Sequence, residues 1–198
     1  MTQRKDSPLR REQIADAALR LVAENGVGAV TVRRVAKVVG ISAAALYRHY
    51  KDKASILAAV LDEHYEILSG DIRRSRAEAK GPLDALHRLY VRSMALVARY
   101  CALPVVFLSD ALWTGDVRLR RLLLAHHNAL RAAFLELIRA AQASGEIRKD
   151  IGADQLLVFY EGLVAMPALM RVRCVEDVDL ARQTDANWAL FTQAMQRN

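Results

Sequence analysis

The chain has 198 residues, of which 29 are Lys or Arg and 22 are Asp or Glu, giving a formal charge of +7. Nine glycines and four prolines among abundant Ala, Leu and Arg favour an all-α protein long enough to bury a real core, in one domain or two small ones. Two cysteines, Cys101 and Cys174, lack metal-type spacing, which leaves a zinc site out and suits a reducing cytosol.

Positive charge is concentrated at the N-terminus. Residues 1–55 hold eleven Lys or Arg against five Asp or Glu, a surplus of six; residues 56–198 hold eighteen against seventeen, a surplus of one. Such a segment attracts a polyanion through phosphate neutralisation and counterion release, or is simply a solvated basic face. The opening MTQRKDSPLRREQ lacks the apolar run of a signal peptide, and its Arg4 and Lys5 can trail along a nucleic-acid backbone. Ser7 and Pro8 predict the cap and first turn of a first helix. Ile14, Ala17, Leu21 and Val22 recur at helical spacing, with Arg10, Arg11, Glu12, Asp16 and Arg20 on the other faces, until Asn25 and Gly26 end the helix.

The stretch Thr31 to Lys53, TVRRVAKVVGISAAALYRHYKDK, predicts two short helices and a tight turn. Val35, Ala36, Val39, Ile41 and Leu46 take the inward positions of such a pair, and Gly40 sits where the first helix must end in a left-handed residue. Thr31 and Ser42 are placed to cap the two N-termini. A helix-turn-helix of this kind lays its second helix, here Ser42 to Tyr50, in the DNA major groove. With the preceding run IADAALRLVAENG and the ending LYRHYKDK, the segment from about Arg10 to Tyr65 resembles the DNA-binding region of the tetracycline-repressor (TetR-like) family of bacterial transcriptional regulators.

That resemblance implies a three-helix DNA-binding domain over residues 1–52 and a helical effector-binding and dimerisation bundle over residues 53–198, about nine helices in all. By the same resemblance Arg33 is a base reader, its fork matching guanine O6 and N7. Arg34 and Arg48 are further readers, phosphate contacts or solvated residues. Ala43, Ala44 and Ala45 at the tip of the reading helix can touch thymine methyls but cannot make bidentate hydrogen bonds. Family members often carry a polar or larger residue there, so this departure shifts direct readout towards Arg33. Tyr47, His49 and Lys53 match phosphate-contacting positions of the family, and each is a donor that fixes register without reading sequence. Packing between helices is the alternative for Tyr47 and the expected role of Tyr50. Thr31 and Ser42 add hydroxyls at helix N-termini, where the backbone dipole favours an anion.

Asp52 is placed to cap a long fourth helix starting near Lys53, with Ile56, Leu57, Val60, Leu61, His64, Leu68 and Ile72 inward, Gly70 as a bend and Gly81–Pro82 as its end. Leu83, Leu86, Leu89, Tyr90, Met94 and Val97 predict a fifth helix to about Ala102. Phe107, Leu108, Leu112 and Trp113 mark a short sixth. A long seventh, from Asp116 to Gly145, carries Leu119, Leu122, Leu123, His126, Leu130, Phe134, Leu137 and Ile138 on one side. The eighth, about Ala153 to Arg173, contains Pro167 as a kink, and the ninth runs from about Leu180 to Arg197. The longest apolar stretch, Met94 to Trp113, is interrupted by Arg99, Pro104 and Asp110, so no membrane span is expected and the protein reads as soluble and cytoplasmic.

The last two helices are apolar on more than one face, which predicts burial on more than one side. The resemblance implies a homodimer interface there, through Leu156, Tyr160, Leu163, Trp188, Phe191 and Met195, with an internal core as the alternative. It also implies an effector site among helices four to eight. Tyr65, Tyr90, Met94, Phe107, Trp113, His127, Phe134, Phe159 and Met166 supply the mostly apolar lining such a site needs, unless they are ordinary core, and their character fits an apolar effector such as an acyl or aromatic compound. No Gly-rich phosphate loop occurs, and His126 and His127 point about 100° apart on a helix, so no catalytic set, metal site or cofactor is expected. The function read from the sequence is a homodimeric, sequence-specific DNA-binding transcriptional regulator, a repressor released from double-stranded operator DNA by a small apolar effector. A protein of the same fold that binds DNA and partners without an effector is the alternative.

Overall fold

In the computed structural model, which describes residues 8–100, 115–173 and 179–195, α1 (Pro8–Asn25) starts at a proline, whose missing N–H the first turn does not need. Ile14, Ala17, Leu21 and Val22 are buried as their spacing predicts, and Ala15, Ala18 and Leu19 join them. A 3-10 turn, Val27–Ala29, leads to α2 (Val32–Val39) and α3 (Ala43–Tyr47). α1 packs on α2, and α2 on α3, around Val35, Ala36 and Leu46, each 1% exposed or less.

Asp52 opens α4 (Lys53–Glu78). Its carboxylate accepts the Ser55 N–H at 2.8 Å, while the Asp52 N–H donates to the Ser55 hydroxyl at 3.3 Å, so two otherwise orphaned donors are satisfied reciprocally. The helix runs unbroken through Gly70 and stops at Glu78, short of the Gly81–Pro82 pair, because Gly81 and Pro82 serve as the cap and first residue of α5 (Pro82–Arg99). Further helices are α6 (Val117–Ala143), α7 (Ala153–Arg173) and α8 (Leu180–Met195). These are the predicted seventh, eighth and ninth helices. The predicted sixth, with Phe107 and Trp113, and Ser7, Cys101 and Cys174 lie outside the described residues. Among the described residues the fold is all-α, with eight α-helices and no strand.

The chain forms two compact units, Met1–Glu66 with Ala102–His126, and Ile67–Cys101 with His127–Asn198. The boundary expected from the sequence falls at residue 52, and the first compact unit also includes the opening turns of α4, whose Ile56, Leu57, Val60 and Leu61 are at most 2% exposed. In the second unit α5, α7 and α8 pack on one another. Leu86, Leu89, Tyr90, Ile138, Leu157, Tyr160 and Phe191 lie at the centre of the core. The Tyr160 hydroxyl donates to the Leu86 carbonyl at 3.0 Å, which satisfies a fully buried polar group. Tyr160 also meets Phe134, Tyr90 and Phe191 ring to ring, and Trp188 stacks on Phe191 at 5.0 Å.

α7 is the one described helix long and apolar enough to cross a membrane by length and composition, with a mean hydropathy of 1.2 over Ala153–Arg171. The apolarity has two sources. Leu156, Leu157, Tyr160 and Ala168 pack into the core of the second unit, whereas Val158, Phe159, Met166 and Met170 lie on the outside.

Candidate DNA-binding site and associated surfaces

The head is built from two caps and a turn. Thr31, in extended conformation, accepts the Arg34 N–H at 3.2 Å, and Ser42 accepts the Ala45 N–H at 3.1 Å. Each hydroxyl uses its oxygen in the cap and keeps its proton to donate outward. Between the helices Gly40 adopts φ 76° and ψ 32°, a left-handed conformation in which any side chain is strained. The Ile41 N–H returns to the Ala36 carbonyl at 3.0 Å and closes the turn.

This frame sorts the side chains. Val32, Val35, Ala36 and Leu46 point inward, and Arg33, Arg34, Lys37, Ala44, Tyr47, Arg48 and His49 are exposed. Ala43, Ala45 and Lys53 are half-buried. Tyr47 is 46% exposed, which places its ring outside the core, whereas Tyr50 is half-buried. α3 is shorter than the expected Ser42 to Tyr50: Arg48 is its C-cap and the His49 N–H reaches back only three residues, to Leu46. The first turn of α3 therefore carries the three alanines, and the long polar side chains follow at its end.

The residues considered for an effector site separate. Tyr90 and Met94 are buried in the second unit's core and Phe134 packs against it. The Tyr90 hydroxyl is buried, and although Asn187 acts on it, no hydrogen bond in good geometry reaches it. Tyr65 belongs to the first unit and stacks on His126 at 4.4 Å, where His126 Nε2 lies 3.4 Å from Asp62. His127 is exposed, but together with Arg131 it lowers the pKa of Glu161, which burial pushes up more strongly. Phe159 and Met166 are 44% and 54% exposed.

The residues considered for a dimer interface divide the other way. Leu156, Tyr160, Phe191 and Met195 are at most 4% exposed within the single chain, and Leu163 and Trp188 are partly buried beside them. The face that α7 and α8 leave open consists of Val158, Phe159, Met166, Met170 and Leu190, each between 44% and 61% exposed. A groove of about 790 Å³ runs there between the helices, with Gly162 and Pro167 on one side and Arg182, Gln183 and Ala186 on the other.

A capped, glycine-turned helix pair with an outward basic face is a helix-turn-helix DNA-binding head. Residues 14–60 match the family model for bacterial regulatory proteins of the tetR family, and residues 82–182 match the C-terminal domain of SbtR-like transcriptional regulators. The chain belongs to the TetR family, and it is a sequence-specific DNA-binding transcriptional regulator. It is similar to the nucleoid occlusion factor SlmA of Marinobacter nauticus, 30% identical over 83% of this chain and 85% of that one. It is also similar to the HTH-type transcriptional repressor KstR2 of Mycolicibacterium smegmatis, 25% identical over 76% and 73%. Its fold matches the crystal structure of the transcriptional regulator FadR from Bacillus subtilis in complex with stearoyl-CoA, with a TM-score of 0.73 and 21% identity over 93% and 99% of the two chains.

Proposed function

We propose that the protein is a cytoplasmic homodimeric repressor without catalytic activity, which releases a roughly palindromic operator when a small apolar effector occupies its second unit. One observation carries the reading: the exposed basic residues Arg33, Arg34, Lys37 and Arg48 make no ion pair among the described residues, so their counter-charges come from outside. Two heads must meet half-sites roughly 34 Å, or a multiple of it, apart, and the open apolar face of α7 and α8 is the surface through which two copies would pair. Release follows only if the effector binds the form with the wrong head spacing more tightly; equal affinity for both forms shifts nothing.

The stearoyl-CoA bound to the similar FadR supports an acyl compound as the first effector to test, and Tyr90, Met94 and Phe134 are the side chains proposed to meet it. The likeness to a nucleoid occlusion factor favours one second reading, a DNA-bound partner protein without an effector. A melting-temperature screen against acyl and aromatic metabolites separates the two, because a specific ligand raises the midpoint by mass action.

Selection of bound fragments from genomic DNA, followed by footprinting, tests the operator. In that assay Arg33→Ala is expected to relax preference at one operator position, at a cost on the order of 1 to 3 kcal/mol. An unchanged site logo would remove Arg33 as a reader.

A further inference from the structure

Most arginines of the second unit are neutralised where they stand. Arg74, Arg76, Arg88, Arg92, Arg131, Arg139 and Arg148 each lie within 3.9 Å of a carboxylate oxygen. Arg73, Arg171 and Arg182 do not, but they are scattered over α4, α7 and α8. The start of α6 is different. Arg118, Arg120 and Arg121 fall within four residues, all exposed and none ion-paired among the described residues.

Their position is fixed. Leu119 and Leu123 are 5% and 1% exposed and hold this end of α6 inward. The nearest acid in sequence, Asp116, is already engaged as a cap, its Oδ1 accepting the Arg118 N–H at 2.7 Å and the Leu119 N–H at 3.3 Å. The segment belongs to the same compact unit as the helix-turn-helix. Asp52, between Lys51 and Lys53, is held below its usual carboxyl range first by the Ser55 N–H, and the Arg118 charge adds to this. The Arg118 charge is thus near enough to the Asp52 turn to act on its carboxylate. Arg118 and Arg121 sit one turn apart on one side of the helix, where like charges repel. An unneutralised cluster of this kind matches the head, not the second unit.

We infer that Arg118, Arg120 and Arg121 form a second DNA-phosphate contact surface, outside the helix-turn-helix and beside the stretch of backbone held through Lys53. The inference rests on the DNA-binding reading proposed above. Its partner is duplex DNA recognised by charge alone, so the surface adds affinity and salt dependence without adding base preference.

The test uses the full-length protein with the selected operator duplex and a random duplex of equal length, across a series of salt concentrations. The triple variant Arg118→Gln, Arg120→Gln, Arg121→Gln is expected to keep its circular dichroism spectrum and its site logo. It should weaken on both duplexes, and lower the slope of log affinity against log salt by at least about one unit. The triple Lys variant should retain the slope, since a phosphate contact of this type needs only a point charge. A Gln variant with the wild-type slope, or one that loses only the operator, overturns the inference and leaves the helix-turn-helix reading intact. Wild-type protein that ignores every duplex at low salt overturns both.

Discussion

The double variant Phe159→Asp, Leu190→Asp is expected to stay folded, to run as a monomer and to lose operator affinity by on the order of 100-fold or more. Both side chains are outside the single chain's core, Phe159 at 44% and Leu190 at 60% exposure, so neither substitution opens a cavity. If copies pair through this face, each carboxylate would be buried unpaired, a penalty of several kcal/mol per group, and every 1.4 kcal/mol is tenfold in the association constant. A monomer carries one head and forfeits the joint contact with two half-sites. Phe191→Ala is the control from the other side of the same ring pair, whose centroids are 6.0 Å apart. Phe191 is 1% exposed, and its truncation should lower unfolding stability by about 3 to 5 kcal/mol. Light scattering and urea unfolding read the two effects separately. A double variant that remains dimeric would move the interface elsewhere.

These two phenylalanines show where the sequence was legible. The helix-turn-helix was readable because its signals are local: a hydroxyl at each N-terminus, a glycine that must be left-handed, and apolar residues spaced for one inward face. Thr31, Gly40 and Ser42 each occupy the predicted place. On α7 periodicity carries no such information, because apolar residues surround the helix and either side can face the core. Leu156 and Tyr160, expected at a dimer interface with an internal core as the alternative, are 2% and 1% exposed within the single chain, whereas Phe159 and Met166, expected to line a pocket or the core, are 44% and 54% exposed. Packing against α5 and α8, not spacing, decides between them. The Arg118 cluster was hidden for another reason. A charge tally over residues 56–198 adds these arginines to acids such as Glu78, Asp84 and Asp154, which neutralise other arginines in the second unit.

Stability is expected to fall as pH drops from about 6.5 to about 4, by on the order of 3 kcal/mol, and the fall should be absent in His64→Gln. His64 lies on α4 among Leu61, Val60 and Leu57 in sequence, and burial pushes its imidazole down from 6.5 to about 4, with the neighbouring His126 charge adding to the effect. The sign follows from which state binds the proton. Between these values the unfolded chain is protonated at this site and the folded chain is not, so protons favour unfolding. The contribution is complete above pH 6.5, declines as pH falls through the window, and is lost once the folded form also protonates near 4. Asp52 acts in the same direction but lower on the scale: its carboxyl is held below the ordinary 3.8, first by the Ser55 N–H, so its contribution disappears only below that value. The Glu161 carboxyl, which burial pushes up from 4.5, also titrates in this range and with the opposite sign, so it is the difference in urea unfolding between wild type and His64→Gln between pH 7.5 and 4.5 that isolates the histidine. Parallel wild-type and His64→Gln curves over that range would show that the imidazole is solvated in the folded protein. Because His64 belongs to the same compact unit as the helix-turn-helix, a slope present only in the wild type would mean that mild acid weakens the DNA-binding head from within.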